Sequence, residues 1–172
     1  MRRLLALLVA LVGAAGVLAA STAPAAGAGV VERAAVTPAM DAFLPGDAAA
    51  AAPAVLFVHG GGWSKGTRAW WSGHARRFTA RTGWPSFTVD YALDAARPHL
   101  VQRADVVAAV DWVRANAADL GVDPDRIALV GASAGGHLAL LAGTTGADVQ
   151  AVVSLAGVAD LPALPELSLI HI

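Results

Sequence analysis

Ile127-Ala128-Leu129-Val130-Gly131-Ala132-Ser133-Ala134-Gly135 is the stretch on which the fold of this chain turns. Its first four residues are apolar, two of them β-branched, and predict a buried strand. Gly131 to Gly135 then form a G-x-S-x-G pentapeptide, the pattern of a sharp strand-to-helix turn. Such a turn lifts a serine hydroxyl clear of the sheet, and glycine on both flanks lets neighbouring backbone pass closely. Ser133 is therefore the candidate nucleophile. Far upstream, Val55-Leu56-Phe57-Val58 predicts a second buried strand, ending in His59-Gly60-Gly61-Gly62-Trp63. A glycine loop in that position presents backbone N–H groups to a developing negative charge. These are two of the three parts an acyl-transfer site needs. The third, an acid with a histidine base, is not visible in the sequence.

Outward from these two strands, helix and strand patterns alternate. Met40 to Leu44 predicts a short strand closed by Pro45-Gly46, while the rest of 29–54 is poor in signals. Trp70 to Thr82 carries Trp71, Ala75 and Phe78 on one helical stripe, with Gly83 as its cap. Ser86 to Val89 predicts a strand that ends at Asp90-Tyr91. Leu100 to Leu120 is the clearest helix, with Val106, Val110, Val113 and Ala117 at helical spacing and Gly121 as its cap. Asp123-Pro124-Asp125-Arg126 predicts a turn. After Ser133, 135–142 predicts a helix and 149–155 a strand. This alternation implies an α/β fold with a mostly parallel sheet covered by helices on both faces.

Four segments together resemble the α/β-hydrolase fold, and within it the secreted bacterial esterases and lipases of the hormone-sensitive-lipase-like type. They are His59-Gly60-Gly61-Gly62-Trp63, Val89-Asp90-Tyr91, Asp123-Pro124-Asp125-Arg126-Ile127, and Gly131-Ala132-Ser133-Ala134-Gly135-Gly136-His137-Leu138-Ala139. The resemblance covers roughly 54–157. It implies carboxylic-ester hydrolysis through an acyl-enzyme on Ser133, with Gly61, Gly62 and Ala134 donating to the oxyanion. It implies that His59 supports the loop, because this fold orders its triad serine, then acid, then histidine. The H-G-G-x-W form also resembles arylformamidases and feruloyl or acetyl-xylan esterases. An amidase of arylformamidase type and a non-catalytic binding protein on the same fold therefore stay open. The implied partner is a small-molecule ester, with no metal and no organic cofactor. The family often carries Arg after the Asp-Tyr pair, where this chain has Ala92, so a structural ion pair is expected to be missing.

Other residue types weigh against competing roles. The glycine loop lacks a P-loop lysine, which argues against phosphate binding. His137 lies four residues past Ser133 on the same helix and predicts packing or capping. Asp90 precedes the serine and predicts a turn anchor, and Asp160 follows its strand too soon for the usual acid. Trp63, Trp70 and Trp71 are equally suited to an acyl pocket and to core packing. With no cysteine in 172 residues, the chain has no disulfide scaffold, thiol nucleophile or thiolate metal site. The five histidines lack zinc-site spacing. A net charge of −1 without a long basic run gives no case for nucleic acid. Oligomeric state is not legible.

The two ends carry their own expectations. Arg2 and Arg3 precede a charge-free run from Leu4 to Ala20, and Ala26-Gly27-Ala28 offers small residues at a cleavage site. Residues 1–28 thus predict a secretory signal cut after Ala28, with Ala19 or Ala20 as second choice, and a secreted product. The run falls short of the roughly 20 residues a spanning helix needs, so no stable membrane insertion is expected. At the other end, the resemblance implies two further strands after Leu155, bringing the acid and the histidine. The chain has 17 residues there, and 167–172 resemble the translation of a transposase mosaic-end adapter. Residues 29–166 are then the N-terminal part of the hydrolase domain, incomplete and expected to be nearly inactive.

Overall fold

The computed structural model describes residues 29–36, 39–47, 50–93 and 98–159. The segment 1–28 expected to be a signal, Asp160 and the 167–172 tail lie outside the described residues. Among the described residues six strands form one sheet: β1 (Val30–Val36), β2 (Met40–Pro45), β3 (Ala52–Val58), β4 (Ser86–Val89), β5 (Val122–Ala132) and β6 (Ala151–Leu155). Their order is β1-β2-β4-β3-β5-β6. β4, β3, β5 and β6 run parallel to one another, whereas β1 pairs with β2, and β2 with β4, antiparallel. The sheet is thus mixed, with its parallel part carrying the motifs.

The described helices that connect the strands are α1 (Ala69–Thr82), α2 (Pro98–Ala115), α3 (Ala117–Leu120) and α4 (Ala134–Thr145). Strand side chains alternate between two apolar layers, as the two-residue period of a strand dictates. Leu56, Val58, Phe87, Val89, Ile127 and Leu129 pack with Val106, Val110 and Val113 of α2 and Leu138 of α4. Val55, Phe57, Ala128 and Val130 face the other way, against Ala75, Trp71 and Phe78 of α1. Both faces of the central strands are therefore covered, which is why those strands read as continuous apolar runs.

Several expected elements differ in detail. β1 carries no clear strand signal in the sequence, yet it pairs with β2 from Val30↔Pro45 to Val36↔Met40. The expected long helix is broken at Asn116 into α2 and α3. Gly83 and Gly121 close α1 and α3 in the left-handed conformation, as expected. The Asp123–Arg126 turn is present, with Asp123 Oδ1 accepting from Asp125 N at 3.0 Å. It lies inside β5 as an irregularity: the ladder steps from Ala52↔Val122 to Ala54↔Ile127, so the turn bulges out opposite Pro53. α4 runs three residues beyond its expected end.

β6 pairs with β5 and is the last strand of the sheet among the described residues. Val153 is 46% exposed and Leu155 48%, on the face away from α4.

Candidate active site

The site is assembled where β3 and β5 end side by side. Ser133 follows β5 directly and caps α4, at φ 54 and ψ −121, with its side chain exposed. A positive φ is uncommon for a residue with a Cβ and costs about 1–3 kcal/mol unless the surroundings impose it. Here they do. Ser133 N–H donates to Leu155 O at 2.8 Å, and its carbonyl accepts from His137 N–H at 3.0 Å. The turn is also too tight for side chains on its flanks. A Cβ on Gly131 would stand 2.1 Å from Gly135 O, and one on Gly135 would stand 2.2 Å from Val58 O.

The glycine loop touches this turn. A Cβ on Gly60 would meet Ala132 O at 2.9 Å and the Ser133 Cβ at 3.2 Å. The loop then folds back, with Gly61 O accepting from Ser64 N and Lys65 N at 3.3 and 3.1 Å. Gly61 stands at φ 117 and Gly62 at φ 59. Among the described residues, no acceptor takes the Gly61 or Gly62 N–H. Ala134 opens α4, so its N–H has no partner in the helix's own ladder and sits at the positive end of the helix dipole. The structure thus brings Ser133, Ala134 and the loop of Gly61 and Gly62 to one place.

His59 lies behind that loop. It is 1% exposed. Its Nδ1–H donates to Gly60 O at 2.7 Å, a tautomer assigned from that bond. The ring stacks on Tyr91 at 4.2 Å, and the Tyr91 hydroxyl donates to His59 O at 2.9 Å. Burial pushes the imidazole below its usual range, more strongly than the Gly60 carbonyl and the Asp90 carboxylate push it up. The same desolvation drives the Tyr91 phenol upward, reinforced by Asp90. His59 therefore contacts the loop and not the Ser133 hydroxyl.

Position 92 carries no charge, and Asp90 is ion-paired with a residue far upstream of it. Arg68, just before α1, donates through Nε to Asp41 Oδ1 at 2.9 Å and through Nη1 to Asp90 Oδ2. Its backbone N–H reaches Asp90 Oδ1 at 2.6 Å. Asp90 in turn lies 3.7 Å from His59 Nε2. Asp90 is thus a turn anchor, as its position suggests, and Arg68 is the residue that sequence reasoning missed. Gln102 was missed as well. It is fully buried, and its Nε2 donates to Trp63 O at 2.7 Å and Ala92 O at 2.6 Å. The signal was present: Gln102 stands one helical turn before Val106, a polar residue on the apolar stripe.

The three tryptophans divide. Trp71 is core, stacked on Phe57 at 5.1 Å with its Nε1–H on Val58 O. Trp63 is buried, and its Nε1–H donates to His137 Nδ1 at 3.3 Å, so His137 packs as expected. Trp70 is 56% exposed, edge-on to His59 at 6.1 Å. Among the described residues, no carboxylate or imidazole bonds the Ser133 hydroxyl, and no group of acidic, His or Cys side chains is arranged to hold a metal. No described helix is long and apolar enough to cross a membrane.

Known proteins are similar to this chain in sequence and fold. Esterase LipC of Mycobacterium tuberculosis is 42% identical over 101 residues, covering 58% of this chain and 25% of the relative. The solved carboxylesterase EstE1, cloned from a metagenomic library, superposes with a TM-score of 0.63 at 33% identity, covering 81% of this chain and 49% of that one. LAE6, an alpha/beta hydrolase from the metagenome of Lake Arreo, gives 0.57 at 28% identity, covering 67% and 38%. The fold is that of the α/β-hydrolase esterases, and the chain spans between a quarter and a half of these proteins' lengths. Residues 40–168 match the BD-FAE family, a stretch that holds both motif loops and most of the sheet, and the chain belongs to that family.

Proposed function

We propose that this chain is the nucleophile-bearing part of a secreted carboxylic-ester hydrolase. The observation that carries the reading is the Ser133 turn, held at positive φ with the glycine loop packed against its Cβ. The Ser133 oxygen attacks the ester carbonyl, and the oxygen of the tetrahedral intermediate accepts from the N–H groups of Gly61, Gly62 and Ala134. Collapse expels the alcohol and leaves an acyl group on Ser133, which water then removes. Each preorganised donor of this kind contributes about 10²–10³ in turnover, because it acts on charge that appears only in the transition state. The named esterases among the relatives support ester chemistry over the alternatives.

The described residues offer Ser133 no base, so its hydroxyl is weakly nucleophilic at neutral pH. Sites deprived of triad partners retain about 10³–10⁴ over the reaction in water. The 172-residue chain should therefore react with an alkyl phosphonate probe slowly but selectively. Peptide mass spectrometry of the product is expected to find the adduct on Ser133, and Ser133→Ala is expected to abolish it. An adduct spread over other serines, or none after prolonged exposure, would refute the reading. Secretion is tested by N-terminal sequencing of the exported product, expected to begin at Gly29.

A further inference from the structure

Trp63 and His137 are 74 residues apart in the sequence and meet in the interior. The indole Nε1–H donates to His137 Nδ1 at 3.3 Å, and the rings meet edge to face with centroids 5.5 Å apart. Each residue belongs to one half of the candidate site. Trp63 directly follows Gly62. His137 lies in the first turn of α4, its own N–H bonded to the Ser133 carbonyl. Trp63 is also gripped from a third side, by Gln102 at its carbonyl. Its backbone stands at φ 60, which a tryptophan keeps only where its surroundings hold it.

We propose that Trp63 and His137 are positioning residues that fix the Gly60–Gly62 loop against the Ser133 turn, with neutral, Nε2-protonated His137 as the form that does so. The inference rests on reading that loop as the oxyanion-binding part of the site. The tautomer follows from the chemistry. An indole N–H only donates, so Nδ1 must offer a lone pair. A second proton converts that acceptor into a donor, and the two N–H groups then oppose each other.

Burial disfavours that second proton, and His99, from α2, opposes it further with its own charge. Among the described residues, the other charged groups of α2 are engaged elsewhere: Arg103 on Thr145 at the far end of α4, Asp105 on the Ala92 N–H, and Asp111 with Arg114 toward the C-terminal end of α2. α4 and β6 carry no charged residue, and the charges of β5 sit at its opposite end. On the loop, Lys65 is exposed. Protonation of His137 and release of the loop are therefore one event.

The test follows the whole 172-residue chain, labelled with ¹⁵N, between pH 8 and pH 5. His137 is expected as the Nε2–H tautomer at pH 8. The Trp63 indole resonance is expected to titrate with the His137 ring at one shared midpoint below 6.5. Across that midpoint the backbone order parameters of Gly61 and Gly62 should fall from the rigid value of about 0.85 toward about 0.6. His137→Asn provides the rescue: its amide oxygen takes the place of Nδ1 and accepts without titrating. Rigid glycines are then expected throughout the range. Trp63→Phe keeps a ring and removes the donor, so the glycines should loosen already at pH 8 and the His137 midpoint should rise.

A Trp63 resonance indifferent to the His137 titration would overturn the proposal, as would glycines equally rigid in Trp63→Phe. Phosphonate labelling of Ser133 in the same samples separates the two readings. An adduct with uncoupled glycines defeats only this inference. Coupled glycines without an adduct defeat the acyl-transfer reading and leave the coupling standing.

Discussion

At Ser133 a side chain and a backbone make opposite demands. The hydroxyl must stand clear of the sheet, and the bend that lifts it places a Cβ-bearing residue at φ 54. That conformation costs about 1–3 kcal/mol, and glycine adopts it freely. Ser133→Gly should therefore be more stable than Ser133→Ala, which loses the hydroxyl and keeps the strain. The difference expected is about 1 kcal/mol, after allowing about 0.5–1 kcal/mol for the extra chain entropy of glycine. Urea midpoints of the two variants measure it, and an alanine variant as stable as the glycine one would mean the turn is unstrained. The pentapeptide was legible because its glycines and serine are local in sequence. Arg68 was not, because its partners Asp41 and Asp90 lie 27 and 22 residues away on different segments, and no periodicity encodes that meeting.

Among the elements, legibility followed burial. β3, β4 and β5 are covered on both faces, so their apolar runs stand out. β1, at the edge of the sheet among the described residues, has the sequence VVERAAV, and without a strict alternation it leaves no trace. β6 sits at the other limit: apolar in sequence, yet with alternate residues open to solvent. A five-residue strand without charge, bonded on one side among the described residues, is a template for edge-to-edge association. Val153→Lys places a charge on the open face and leaves the backbone ladder to β5 intact. It should raise the concentration at which the chain stays monomeric in light scattering. Its unfolding midpoint should move by no more than the equivalent of about 0.5 kcal/mol, as for other surface substitutions. If association is unchanged, the β6 face is not the surface responsible.

Across the whole molecule, two neutral histidines brace the same loop from two sides. His59 holds Gly60 from beneath, and His137 holds Trp63 from α4. Both are depressed below the ordinary 6.5, in each case chiefly by burial. The sign of the consequence is fixed. Below 6.5 the unfolded chain takes up protons at these positions and the folded chain does not, so acid favours unfolding. The stabilisation is complete above about 6.5 and is lost as pH falls toward the folded-state midpoints. In that window each histidine adds at most about 1.4 kcal/mol per pH unit to the slope of stability against pH. A titration that stops at pH 5 stays above the ordinary 3.8 of an aspartate, which limits the share of the carboxylates in the slope. Urea midpoints taken from pH 8 to pH 5 should be flat at first and then fall. In His137→Asn the fall should be shallower by one proton, leaving the share of His59. A profile flat to pH 5 would mean that both imidazoles protonate in place, and that neither is bound to the loop in its neutral form.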